Sequence, residues 1–364
     1  MIKHKKILVE FYAKKNFGDD MFVRIIADRY PNTDFYIFGR TKYIDPFKDI
    51  ENVHLLRDTI LIRLIRKICK KLSGRDYIYR KRALRSDLVL RVGGSIFPEP
   101  KKNLLTQYFK NESNKISDSP KIVILGSNFG PYKSQIFLDF WRKEFKKCSY
   151  VTVRDKASYA LFDDIKKVHY APDILLGINS YLTNKKIVKK KKEKYVAISV
   201  VSKAHNKNER QDFVKKIVDL IRYYNDQNIG VVLMSFCEDE GDMDLIKEIQ
   251  NASRKEVKVL NYQGNVDEVL NCIQNAEYVI GSRFHSIIMA LAMRVPCYPI
   301  SYSNKTENLL HDIHFDGNFS KITEFSDKTL LEIDKNRVKK YICDVTKDEV
   351  ASESHFRFTD DFLR

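Results

Sequence analysis

Apolar residues along this chain fall into short runs rich in β-branched and aromatic side chains, separated by polar stretches in which apolar positions recur at helical spacing. In the first half the strand-like runs are KILVEFY, TDFYIFG, SDLVLRVGG, KIVILGSNFG and SYVTVRD, with helical patterns over residues 20–30, 135–146 and 157–162. The second half offers YVAISVV, IGVVLMSF, EVKVLNY, AEYVIGSR and CYPISY, with helical patterns over 208–225, 243–252, 266–275 and 286–293. Short strands alternating with helices call for βαβ units and parallel sheets. The pattern therefore predicts an α/β protein with two Rossmann-like domains facing a cleft. The expected division is an N-terminal domain over 1–184, a basic linker at 185–194, a C-terminal domain over 195–327 and a helical tail over 328–364 that packs back on the first domain.

Length agrees: 364 residues suit two domains of ordinary size. No apolar run approaches the roughly 20 residues that a membrane-spanning helix needs. The opening MIKHKKILVEFYAKKN has no secretory pattern, so a cytoplasmic protein is expected. Six cysteines, Cys69, Cys148, Cys237, Cys272, Cys297 and Cys343, form no CxxC pair and lie at no zinc-like spacing. Reduced thiols and no structural metal are expected, with Cys297 a small buried hydrophobe.

The formal net charge of +17 asks for an acidic partner or marks a solvated lysine surface. No nucleic-acid-binding motif accompanies it, and none is expected as a partner. Part of the excess lies in KKIVKKKKEK at 185–194, which reads as an extended linker. Another part lies in a helix where Leu61, Leu64, Ile65, Ile68 and Leu72 oppose Arg63, Arg66, Lys67, Lys70 and Lys71. Such a helix either lies on an anionic membrane surface or flanks a sheet with its polar side in water.

Candidate chemistry gathers at strand ends, where open parallel sheets bind ligands. AEYVIGSRFHSIIMALA is a strand that runs into Arg283, Phe284 and His285 and then directly into an apolar helix whose unpaired N–H groups favour anions. His285 read alone could as well cap that helix. VTVRD ends a strand with Arg154, which reads as a site cation or as half of a local pair with Asp155. Asn16-Phe17-Gly18-Asp19-Asp20 follows the first strand, with Asp19 or Asp20 as N-cap. Gly93 and Gly94 follow the third apolar strand. Neither they nor the glycines of GSNFGP make a GxGxxG or a P-loop, so no dinucleotide or ATP site is implied.

Taken in order, NFGDD, VGGS, LGSNFGP, VTVRDKAS, APDILL, SFCEDEGD and GSRFHSIIMALAMRVPCYPISYSNK resemble the polysaccharide pyruvyl transferase family across roughly residues 16–305. The resemblance implies a two-domain fold like that of GT-B glycosyltransferases and transfer of pyruvate from phosphoenolpyruvate onto a sugar diol as a cyclic ketal, in cell-surface polysaccharide or glycan synthesis. It places the R-x-H pair on Arg283 and His285, the strand-end arginine on Arg154 and a later lysine on Lys305. Phe284 stands where relatives often carry leucine.

On that reading His285 is the general acid, and Arg154, Arg283, Phe284 and Lys305 bind the donor. Rigid guanidinium forks suit a carboxylate and a phosphate, and a histidine near neutrality suits proton delivery to the methylene carbon. Asp19, Gly93 and Gly94 are the candidates for the acceptor, a sugar or a lipid-linked oligosaccharide. A lipid-linked acceptor would bring the protein peripherally to the inner, anionic membrane face. The scheme uses no metal and no cofactor beyond phosphoenolpyruvate as donor. The alternatives are a GT-B-type nucleotide-sugar glycosyltransferase and a non-enzymatic module for acidic polymers.

Overall fold

The computed structural model describes residues 4–187, 194–202, 207–253 and 256–364, so most of the lysine run at 185–194 lies outside the described residues. The chain divides into two compact units. One comprises the residues up to Ala13 together with Asp19–Ile174 and Ala351–Arg364, and the other Lys14–Gly18 and Leu175–Val350. The break at 174/175 comes ahead of the lysine run. The segment 328–364 is itself divided, because the helix Asp327–Lys339 packs on the second sheet whereas residues from Ala351 belong to the first unit.

The first unit is built on a parallel sheet of seven strands: β1 (Lys5–Glu10), β2 (Thr33–Gly39), β3 (Val53–Arg57), β4 (Leu88–Val92), β5 (Ile122–Ser127), β6 (Tyr150–Val153) and β7 (Val168–Tyr170). Their order is β3-β2-β1-β4-β5-β6-β7. β4, β5 and β6 are buried along their whole length, which is why they read as mostly apolar runs, with Arg91 and Thr152 the buried polar members of β4 and β6. Beneath them Trp141 meets Phe97 edge-on at 4.5 Å and Phe145 at 5.3 Å. Each such side chain contributes about 1.5–3 kcal/mol on burial. The edge strands β3 and β7 escape the pattern because they are short and half-buried, and carry His54 and His169 among their apolar residues.

The second unit repeats the plan with β8 (Tyr195–Ser199), β9 (Gly230–Ser235), β10 (Lys258–Asn261), β11 (Tyr278–Gly281), β12 (Cys297–Ser301) and the short β13 (Ser320–Lys321). The order is β10-β9-β8-β11-β12-β13, again parallel. Val196, Ile198, Leu233, Ile280 and Tyr298 form its centre. Lys14–Gly18 joins this unit through Phe17, whose N–H donates to the Phe236 carbonyl at 3.1 Å and whose ring stands edge-on to Phe236 and Tyr262. In both sheets strand order reverses between the first and fourth strands, and that switch point is where a ligand crevice forms in open α/β sheets. All six cysteines are free thiols. Among the described residues no helix is long and apolar enough to cross a membrane.

Three helices of the first unit matter below: α1 (Phe17–Arg29), whose residues from Asp19 onward belong to it, α2 (Ile60–Ser73) and α3 (Tyr77–Ala83). Asp19 and Asp20 lie within the first turn of α1; it is Asn16 whose Oδ1 accepts from the Gly18 N–H, so the capping carboxylate expected at 19 or 20 is replaced by that amide. α2 corrects the expectation of a helix with its polar side in water. None of its residues is buried, and its apolar side is the exposed one.

The C-terminal segment is held to the first unit by ions and by one histidine. Arg29 donates to both carboxylate oxygens of Asp360 and to Glu353, and the Tyr30 hydroxyl donates to Asp360 at 2.6 Å. His355 is fully buried, with Nε2 2.6 Å from the Pro172 carbonyl and Nδ1 2.6 Å from Thr152 Oγ1. Burial lowers its pKa to about 4, so the neutral imidazole donates from Nε2 and accepts at Nδ1. Between pH 6.5 and about 4 the unfolded chain binds a proton there and the folded chain does not, so stability is full above pH 6.5 and falls as pH drops. The first unit should lose about 2 kcal/mol from this group by pH 5. Chemical denaturation at pH 7.5 and 5 checks it: His355→Gln should flatten the pH dependence, and equal slopes for both proteins would contradict the assignment.

Candidate active site

In the second unit, β8 and β11 end side by side and the chain turns directly from β11 into α4 (Phe284–Ala292). The corner is held by serines. Ser199 Oγ accepts from the N–H groups of Ser282 and Arg283 at 3.2 Å and lies 2.6 Å from Ser286 Oγ, and the Ser282 hydroxyl donates to the Ser199 carbonyl at 2.7 Å. Arg283 is the N-cap residue of α4, in extended conformation, so His285 follows in the first turn and is not the cap.

Arg283 is 6% exposed and its side chain is fully engaged. Its Nε donates to both oxygens of Asp242 at 2.9 and 3.1 Å, Nη2 donates to Asp242 and Nη1 to Glu240. Asp242, fully buried, also accepts from the N–H groups of Phe236 and Cys237 at 3.1 Å. Burial pulls the Arg283 pKa down, but the two carboxylates outweigh it and raise it above the ordinary value. The guanidinium therefore stays charged and its charge is balanced from within the unit. Asp242 and Glu240 come from the stretch SFCEDEGD, whose crowded carboxylates were the signal in the sequence and were given no role there.

His285 is half-buried, with its ring 5.4 Å from that of Phe284, edge to face. A Cβ on Gly18 would lie 1.9 Å from His285 Nδ1, so only glycine lets the imidazole occupy this place. That close approach accounts for the glycine of NFGDD. Lys305, in the first turn of α5 (Asn304–Asp312), holds its ammonium 5.3 Å from the Phe284 ring centre and 5.1 Å from that of Tyr302. Arg283, Phe284, His285, Lys305 and Gly18 are thus neighbours in one unit.

In the first unit Arg154 follows β6 and is buried. It donates to Asp173 at 2.7 Å and to Asn128 Oδ1 at 2.8 Å. Asp155 caps the helix Lys156–Ala160, accepting from the Ser158 N–H at 2.7 Å. The Arg154 guanidinium lies against Gly94, where a Cβ would come within 2.9 Å of both Nη atoms. Asp19 Oδ1 accepts from the Gly94 N–H at 3.3 Å, and a Cβ on Gly93 would sit 3.4 Å from the same oxygen. Arg154, Asp19, Gly93 and Gly94 therefore form one group, with Asn128 and Asp173 as partners that the sequence left unassigned. His355 braces this group, since it hydrogen-bonds Thr152 and Pro172, two residues before Arg154 and one before Asp173.

The switch point of the first unit opens into a cavity of about 430 Å³ beyond β1 and β4, lined among others by Glu10, Tyr12, Phe38, Arg66, Tyr79 and Arg82. At its wall Arg91 donates to Glu10 and Glu112 at 2.8 and 2.7 Å, and Lys115 lies 3.3 Å from Glu10. Burial pushes the Glu10 carboxyl up, but Lys115 and Arg91 outweigh it and hold its pKa at about 2. Among the described residues no group of three or more His, Cys, Asp or Glu side chains is placed to hold a metal ion.

These two α/β units, each a parallel sheet with its candidate residues at the strand ends, define a protein of the GT-B fold. The model of the polysaccharide pyruvyl transferase family matches residues 16–304, and the chain belongs to that family. No curated protein sequence matches it. Among solved structures it is similar to the UDP-GlcNAc 2-epimerase of Methanocaldococcus jannaschii, with TM-score 0.60, 10% identity and 99% of both chains covered. It is also similar to the UDP-GlcNAc 2-epimerase of Neisseria meningitidis bound to UDP-GlcNAc, with TM-score 0.57, 10% identity and 98% and 99% of the two chains covered. A third is Anabaena HepE in complex with UDP-glucose, with TM-score 0.58, 12% identity and 99% and 98% covered. At such identities the likeness is one of fold.

The contact of Gly18 with His285 yields a direct check. Gly18→Ala should evict the imidazole, shifting the His285 ring signals in the NMR spectrum while costing about 1–3 kcal/mol or less in stability. Unchanged His285 signals in a folded variant would contradict the close approach.

Proposed function

We propose that this protein moves pyruvate from phosphoenolpyruvate onto two hydroxyls of a sugar, forming a cyclic ketal and releasing phosphate. Membership of the pyruvyl transferase family supports the class of reaction. The observation that carries the residue assignment is the corner of the second unit, where His285 sits beside an arginine already neutralised by Asp242 and Glu240.

In this reading His285 gives its proton to the methylene carbon of phosphoenolpyruvate, and the neighbouring carbon becomes oxocarbenium-like. One sugar hydroxyl adds there as the bond to the phosphate oxygen breaks, and the second hydroxyl closes the ring. Of the two hydroxyl protons released, one restores His285 and the other leaves with phosphate. Arg283 orients the corner through Asp242 and remains a donor-side cation, Phe284 supports Lys305, and Lys305 faces the donor's anionic groups. Arg154, held by Asp173 and Asn128, is the first unit's candidate for binding an anionic group. Asp19, Gly93 and Gly94 are the candidates for acceptor hydroxyls. We take the acceptor to be a saccharide under construction for a cell-surface polysaccharide, carried on a lipid or free.

The competing reading is a nucleotide-sugar glycosyltransferase, which shares the fold. Incubating the protein and a panel of saccharide acceptors separately with phosphoenolpyruvate and with UDP-sugars separates them. Phosphate release dependent on phosphoenolpyruvate and acceptor is expected, and His285→Ala should lower it by about 10²–10⁴-fold. UDP release, or full activity in the alanine variant, would overturn the assignment.

A further inference from the structure

Helix α2 presents its apolar side outward and its cationic side inward, the reverse of a helix that covers a sheet. Leu61, Leu64, Ile68 and Leu72 are 66, 53, 56 and 82% exposed, and Ile60 and Ile65 join them. At 100° per residue these six side chains lie on one arc, and Lys67 and Lys71, both exposed, lie along its margin. The inward side carries Arg66, which donates to Asp76 at 2.8 and 2.6 Å and to Asp58 at 3.1 Å and lies 4.6 Å from the Phe38 ring centre. Thr59 caps the N-terminus of α2 and Gly74, with φ +71°, ends it. Turning the helix to bury its leucines would break both of those carboxylate pairings, so the outward stripe is fixed by the fold.

Behind α2, the cavity at the switch point is lined by Arg66 and by Arg82 of α3. Arg82 lies 4.0 Å from the same Phe38 ring, and among the described residues its guanidinium makes no hydrogen bond or ion pair, although Nη1 is buried. A buried donor without an acceptor costs about 1–3 kcal/mol, which a bound anion would recover. A helix with an apolar stripe edged by lysines, on a chain of net charge +17, is complementary to a bilayer carrying negative lipids.

We propose that α2 docks on an anionic lipid bilayer and that the cavity behind it, through Arg82, receives the phosphate-bearing head of a membrane lipid. The naming of that lipid as the carrier of the saccharide acceptor rests on the pyruvyl transfer reading; the docking itself does not.

Sedimentation with vesicles tests it, using phosphatidylcholine alone and phosphatidylcholine mixed with phosphatidylglycerol. The full chain should partition at least about tenfold more strongly onto the mixed vesicles, and added salt should weaken the binding. Leu64→Asp combined with Ile68→Asp should lower that partition at least about tenfold without changing the circular dichroism spectrum. Arg82→Gln should lower it about threefold or more. Wild-type protein left in the supernatant, or the double variant sedimenting as wild type, overturns the docking, and an unchanged Arg82→Gln overturns the assignment of the cavity. A dimer that the double variant splits, without vesicle binding by the wild type, would give the stripe to a second copy and also overturn it. Failure of phosphoenolpyruvate to release phosphate would leave these outcomes untouched, so the two readings fail separately.

Discussion

The buried ion pair between Arg283 and Asp242 is the contact on which the strand-to-helix corner of the second unit depends. A strand that runs straight into a helix must turn its backbone while leaving N–H groups at the helix start without partners. Here Ser199, from the neighbouring strand, accepts two of the corner N–H groups, and Asp242 grips the arginine that begins the helix. An uncompensated guanidinium at that depth would be costly, whereas a paired one remains charged and rigid. The histidine two residues on is therefore aimed by the strand end, with Gly18 leaving it room.

The same logic recurs in the first unit with different parts. Arg154 is held by Asp173 and Asn128, and the strand end that bears it is tied to His355 from the far end of the chain. Because His355 is neutral and buried, it positions this arginine without adding charge near it. The cationic groups split into two kinds. Arg283 and Arg154 are each paired with carboxylates and held rigid, whereas among the described residues no carboxylate is bonded to Arg82.

Much of this was legible in the sequence because the central strands are buried on both faces and are therefore mostly apolar. KIVIL, VLRV, YVAIS and AEYVIG announce themselves for that reason. β3, β7 and β13 do not, being short edge strands with polar positions. The arginines and His285 were visible because they follow strands directly. Their partners were not: Asp242, Glu240 and Asp173 lie 41, 43 and 19 residues away in sequence, and nothing in their local pattern says which cation they meet. The spacing of apolar residues makes α2 amphipathic, but which side faces water depends on Asp58 and Asp76 claiming Arg66, which periodicity does not reveal.

The proposed transfer requires that the methylene carbon of phosphoenolpyruvate be protonated before the sugar oxygens close on its neighbour. Running the transfer in deuterium oxide and reading the ketal methyl group of the product by NMR and mass spectrometry tests it most directly. The account predicts a methyl carrying a single deuteron in each pyruvyl group. A product whose methyl carries none, or one that retains the methylene double bond, would contradict it.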